Sequence, residues 1–263
     1  MIFEEGGLPP AGNDYNTITM SFSVKGEKGS DSVSFLRDPM ETRPLCMKNC
    51  FNNLIMAANC SAMNAEYFKI THKTQNGFTG GRIFFNNLVA LDSAGRMYSC
   101  AYEGSKKPDF NLSIILISAA FDFEAAFPSV IHAWIWVVFR HRKLPEHFLH
   151  FFKANYDDAM AVFVHNGIVA NLLHFLSGVL QGCPGSAMMF NNAQDPFLAR
   201  FHNALREKHS GIIRACADDI GITLTQLRHL RIVHPIFGEC KAHGGLNVKP
   251  PKCCVVPLCK WSE

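Results

Sequence analysis

The stretch "IIRACADDIGITL", residues 212–224, sets two adjacent carboxylates, Asp218 and Asp219, between runs of residues that favour buried strands. The pattern predicts strand, two-residue turn, strand, with the acids at the turn. Unpartnered carboxylates are rarely buried, because stripping water from a charge is costly. Two readings stay open here. Asp tolerates the backbone angles of tight turns, so the pair is explained by turn chemistry alone; or the turn lifts both acids to a sheet rim where they hold something.

Composition narrows the classes. The chain has 263 residues, 48% of them hydrophobic and 18% charged, with 22 Phe and a formal net charge of +3. That is enough chain for one large domain or two subdomains sharing a core, with an apolar surface that suits a partner. The small positive charge permits a polyanionic ligand without requiring one. The 10 Cys form no C-x-x-C pair, which argues against zinc and for reduced, packed thiols. "MIFEEGGLPP" is acidic where a secretory leader is basic, and the apolar runs fall short of a bilayer, so a soluble protein with no membrane partner is expected, and the unpaired thiols imply a reducing, intracellular compartment, nuclear or cytoplasmic.

Outward from the hairpin, residues 1–40 yield no element and are expected to be a loosely ordered lead-in. A helix is predicted over Leu45–Tyr67, a Gly-punctuated loop over residues 71–82 and a second helix from Ile83 to about Asp92. "NLSIILISAAFDF" reads as a buried strand ending at Asp122, followed by helices Pro128–Arg142 and Pro145–Asp157. Asn166 and Gly167 mark another hairpin. Residues 177–186 form a loop before a helix over Ala187–Lys208, and a helix over Gln226–His243 and a strand over Cys253–Leu258 close the chain. This order suits an α+β fold, a mixed or antiparallel sheet with helices packed on one face.

Asp122 also ends an apolar strand, and the topology allows it to meet Asp218 and Asp219 at one rim. Three crowded carboxylates repel unless a cation compensates them, and oxygen donors suit Mg²⁺ or Mn²⁺ better than zinc. Two such ions about 3.5–4 Å apart are the usual device for in-line phosphoryl transfer. Glu124 is read as exposed.

Four further segments, in order, resemble the reverse transcriptases of non-LTR retrotransposons. "DFEAAF" (122–127) is similar to that family's D-x-x-x-A-F, "SGVLQGCPGS" (177–186) to its R-G-V-x-Q-G-C-P-x-S loop, "CADD" (216–219) to its YADD hairpin and "GLNVKPPKC" (245–253) to its G-L-x-x-N-P-x-K-T. Upstream, "RPL" (43–45) and "QNGFTGGR" (75–82) look like its fingers motifs. The resemblance covers roughly residues 41–258. It implies a right-hand polymerase palm over 111–263, with a fingers-type insertion near 145–176 and a partial helical fingers segment over 41–110. The family's thumb is expected to be absent, since the chain stops at Glu263.

Carried over by residue, the resemblance implies that Asp122 and Asp218 ligate both metals, with Asp219 nearby and the Phe123 carbonyl as a further ligand. Phe127 would lie under the sugar of the incoming nucleotide, Gln181 and Gly182 would hold nucleotide and template, and Arg43 would meet the triphosphate. Arg82 stands as an alternative phosphate contact or as a cap on its own loop. Lys252 would protonate departing pyrophosphate. The implied partners are an RNA template, a DNA or RNA primer and deoxynucleoside triphosphates, together with a protein partner or a thumb supplied elsewhere.

Departures are Cys216 for Tyr, Ser177 for Arg, Pro128 for Asp, and Lys249 and Cys253 for Asn and Thr. None removes an implied ligand, but losing the arginine removes a charge-assisted contact. Beside an RNA-directed DNA polymerase, two alternatives remain at this point: a catalytically silent, truncated retroelement remnant that binds nucleic acid or protein, and a metal-dependent nuclease using the same acids.

Overall fold

The structure, a computed structural model, describes residues 16–24, 42–103 and 114–258. Two four-stranded sheets organise them. The first has strand order β2-β1-β4-β5, built from β1 (Thr17–Val24), β2 (Thr42–Met47), β4 (Met160–His165) and β5 (Ile168–His174). The second is antiparallel, in the order β6-β7-β3-β8, from β3 (Ile117–Phe121), β6 (Gly211–Cys216), β7 (Asp219–Leu224) and β8 (Cys254–Pro257). The helices are α1 (Cys50–Ile70), α2 (Phe85–Glu103), α3 (Ala126–Ser129), α4 (His132–His141), α5 (Glu146–Ala154), α6 (Ser186–Glu207) and α7 (Leu230–Gly244).

Alternation along the second sheet divides its faces. Ile213, Ile220 and Ile222 join one buried cluster with Phe197 and Phe201 of α6 and Val233 and Ile236 of α7. The other face carries Gly221 and Thr223, and α2 lies across it. A Cβ on Gly221 would stand 2.6 Å from Leu91 Cδ1, and the Thr223 hydroxyl donates to the Leu91 carbonyl. This helix is an addition to the packing on one face expected above. It also runs to Glu103 instead of stopping near Asp92, because its later turns dock on the sheet's far edge, where Ser99 Oγ donates to the Leu258 carbonyl.

Three other expectations are corrected. Residues 17–24, assigned no element, form β1; Ile18 and Met20 are buried between partly exposed neighbours, and the strand pairs with β2 and, in parallel, with β4. The rest of the lead-in lies outside the described residues. The first predicted helix begins five residues late, at Cys50, because Thr42–Met47 is a strand and the Asn49 side chain accepts from the Phe51 amide to cap the helix. Finally, the helix expected over Pro128–Arg142 is two helices. Val130 is extended between them: its carbonyl accepts from the Gly178 amide, and the Ile131 amide donates to the Gly244 carbonyl.

The Asn166–Gly167 hairpin joins β4 and β5 with both residues at positive φ, 49° and 78°. In the other hairpin the turn residues are Ala217 and Asp218, since Asp219 already pairs with Cys216.

Candidate active site

The last cross-strand pair between β3 and β7 is Phe121 with Ile220, so one step further out Asp122 stands opposite Asp219. Asp218 sits beside them in the turn. Residues 245–253 then fold back along the same strand end: Phe123 bridges Val248, the Glu124 amide donates to the Asn247 carbonyl (2.7 Å) and the Lys249 amide to the Asp122 carbonyl (2.9 Å). The short 3-10 turn Pro250–Lys252 that follows brings the Lys252 Nζ to 2.7 Å from Asp122 Oδ2. Glu124, expected to be exposed, is half-buried, and its carboxylate accepts from Asn247 Nδ2 at 3.4 Å.

Asp122, Asp218, Asp219 and Lys252 line one end of a cleft of about 780 Å³. Phe123, Phe127, Gln181, Gly182 and Arg43 line it too. Phe127 stacks flat on Phe190, ring centroids 4.4 Å apart, and meets Phe78 edge-on. The loop is locked to β2 through the Cys46 amide, which donates to the Gln181 carbonyl at 2.8 Å. Gly182, at φ 113°, admits no side chain: a Cβ would stand 2.7 Å from the Cys46 carbonyl oxygen. The same strand carries the exposed Arg43 to the cleft wall.

Arg82 does not line the cleft. Its guanidinium donates to the carbonyls of His72 (2.6 Å), Gln75 (2.8 Å), Thr71 (2.8 Å) and Phe68 (3.3 Å). Those acceptors are the end of α1 and the start of the loop, so Arg82 closes its own loop, the second of the two readings it was given.

Electrostatics at the rim follow from the crowding. Burial first, then the Asp219 and Asp122 charges, raise the Asp218 carboxyl above its ordinary value, against the pull of its own backbone amide and Lys252. Burial and Asp122 raise Asp219, with Lys252 again opposing. The bond to Asp122 holds the Lys252 ammonium above its usual range. Among the described residues no three His, Cys, Asp or Glu side chains are gathered at metal-ligand spacing, and Asp122 is engaged by Lys252. The donor chemistry nonetheless fits a hard divalent cation: oxygen donors only, with an excess of negative charge that the lysine offsets in part.

A residue the motif reading passed over is Gln75. It is fully buried and bonded to the backbone of Ala217, in the turn itself. Its sequence signal was its place at the head of "QNGFTGGR".

Residues 109–261, more than half of the chain, match the family described as reverse transcriptase (RNA-dependent DNA polymerase), and the chain belongs to that family. No curated protein matches it. Among solved structures, a telomerase from Candida tropicalis truncated from its C-terminal domain aligns with a TM-score of 0.63 at 11% identity, covering 92% of this chain and 50% of that one. Telomerase from Candida albicans, in complex with a fragment of telomeric RNA, aligns at 0.59 and 9% identity over 97% of this chain and 44% of that one. The RNA-dependent RNA polymerase of a human picobirnavirus aligns at 0.51 and 12% identity, over 91% and 42%. The fold is thus α+β with the right-hand palm of polymerases, and the chain spans half or less of each of these solved structures.

Proposed function

We propose that this chain is an RNA-directed DNA polymerase module of the non-LTR retrotransposon type, adding deoxynucleotides to the 3′-hydroxyl of a DNA or RNA primer on an RNA template. The observation that carries the reading is the convergence of the acids of "DFEAAF" and "CADD" with the "QGCP" loop and Lys252 on one cleft. The likeness to a telomerase seen with RNA is in keeping with it.

Asp122 and Asp218 would hold Mg²⁺ or Mn²⁺, with Asp219 and the Phe123 carbonyl beside them. When bound, the cation supplies activation of the attacking hydroxyl and neutralisation of charge on the leaving group. Phe127, braced from behind by Phe190, offers a flat apolar floor for a sugar and disfavours an added 2′-hydroxyl. Gln181 and Gly182 would hold nucleotide and template from the loop, and the Arg43 fork suits phosphate oxygens. Lys252 carries a proton at Nζ within reach of the rim and would give it to pyrophosphate.

A second reading is a silent remnant of such an enzyme. It is favoured by the acids not being gathered at ligand spacing and by Ser177 where the family's loop has Arg.

The test is extension of a labelled primer on an RNA template with Mg²⁺, with and without nucleotides. Template-dependent growth with deoxynucleotides supports the polymerase. Primer shortening without nucleotides would favour a nuclease, and folded protein that does neither would favour the remnant.

A further inference from the structure

Gln75 is 0% exposed and every hydrogen-bonding position of its amide is used. Oε1 accepts from the Gly77 and Ala217 amides, both at 2.8 Å. Nε2 donates to the Ala217 carbonyl at 3.1 Å and to Gln194 Oε1 at 2.8 Å. One side chain therefore grips both the N–H and the C=O of Ala217, and a glutamine is suited to this because it carries two acceptor and two donor sites on one plane.

Ala217 needs holding. Its φ is 53°, in the left-handed region that costs a residue with a Cβ about 1–2 kcal/mol, and it immediately precedes Asp218. Such a conformation persists only where surrounding structure over-determines it. The chain around Gln75 supplies the rest of the grip. The Asn76 amide donates to the Ala215 carbonyl and the Ala215 amide to the Thr74 carbonyl, each at 2.8 Å, so the loop lies as a short parallel segment on the free edge of β6. Gly77 passes so near the turn that a Cβ there would stand 2.2 Å from the Ala217 nitrogen. From the far side, Asn191 Nδ2 of α6 donates to the Gly77 carbonyl at 2.7 Å.

We propose that Gln75 is a positioning residue that fixes the peptides on both sides of Ala217 and so aims the Asp218 carboxylate into the cleft. This rests on the polymerase reading above. Both bonds to Ala217 span 142 residues of sequence, tying the fingers-side loop to the acid-bearing turn. Movement of that loop would be felt at Asp218 directly.

The experiment compares wild type with Gln75→Met, which keeps length and volume but makes neither bond. Single-nucleotide incorporation is followed in the pre-steady state, so that burst amplitude counts active sites and the rate is per site. The expected result is a per-site rate lower by about tenfold to a hundredfold, the usual effect of misplacing a reacting group, with the nucleotide KM unchanged within roughly threefold. In parallel, exchange of the Ala217 amide hydrogen should quicken by about tenfold or more while Ile213 and Ile222 keep their protection. A wild-type rate at reduced amplitude, or loss of protection spread evenly through the sheet, would overturn the proposal by showing a general stabilising role. Should Gln75→Met not fold, Gln75→Glu keeps the acceptor and loses the donor to Ala217, and the same split between rate and KM is expected. If wild type itself extends no primer, the polymerase reading falls while the exchange comparison still decides the clamp: unaltered Ala217 exchange in the variant overturns it.

Discussion

The Lys252 ammonium is bonded to the Asp122 carboxylate at 2.7 Å, on the rim that Asp218 and Asp219 share. A tethered cation thus sits where three acids repel one another and offsets part of their charge. In the proposed polymerase it would compete with a divalent ion for Asp122 and would be the proton donor to the leaving group.

Replacing it separates the two roles. Lys252→Met is expected to bind Mn²⁺ more tightly than wild type, by about threefold, a modest gain because the lysine is largely exposed and screened. The same variant should extend primers about 10²-fold more slowly, the scale of losing a general acid. Paramagnetic resonance of free Mn²⁺ in a titration checks the first, and weaker Mn²⁺ binding in the variant would show that Lys252 does not compete for the site.

The raised Asp218 and Asp219 carboxyls make the metal-free fold sensitive to pH. A folded-state value above the unfolded one means that the protonated acid favours the fold. The contribution is fully present below the unfolded value of about 3.9 and is lost as pH rises through the raised folded value. Asp218→Asn, which mimics the protonated form, should therefore stabilise the protein in EDTA at neutral pH, by on the order of 0.5–2 kcal/mol and nearer the low end because the group keeps some contact with solvent. The gain should vanish in acid. Urea unfolding at several pH values measures it; a variant less stable than wild type at neutral pH would contradict the charge crowding inferred at the rim.

Two arginines drawn from the same resemblance should behave differently. Arg82→Ala removes hydrogen bonds to four backbone carbonyls, of which that of His72 still accepts from the Gln75 amide, and should cost about 3 kcal/mol of stability. Arg43→Ala, on the exposed face of β2, should change stability by no more than about 0.5 kcal/mol. It should instead raise the deoxynucleotide KM by about tenfold, the loss expected for one charge-assisted phosphate contact. Thermal unfolding set beside steady-state kinetics distinguishes them; a raised KM in Arg82→Ala with intact stability would reverse the assignment.

What was legible in the sequence was whatever local chemistry determines. Asn166–Gly167 dictates its hairpin, the apolar run before Asp122 reads as a strand because its Ile and Leu residues favour one, and α6 appears within a residue of its ends. That Asp122, Asp218 and Asp219 share one rim followed from topology, although Asp219 begins β7 and does not stand in the turn. What was hidden depends on distant partners. β1 is a half-polar strand until residues 160–162 pair with it, and the end of β2 was absorbed into the next helix because Met47 stands at helical spacing from Phe51 and Leu54. Likewise, the Arg82 and Gln75 side chains serve carbonyls and amides whose availability only the folded loop creates. The Lys252–Asp122 bond needed the return of residues 245–253 along β3's end, which no periodicity announces.

The most direct test of the central claim is primer extension on an RNA template in Mg²⁺, comparing equal amounts of folded wild type and Asp218→Asn, with a template-free control. The polymerase account predicts template-dependent extension by wild type and a loss of about 10²–10³-fold or more in the variant, the scale of removing one preorganised electrostatic group. Extension at the wild-type rate by Asp218→Asn would contradict the site, and no extension by folded wild type would contradict the activity.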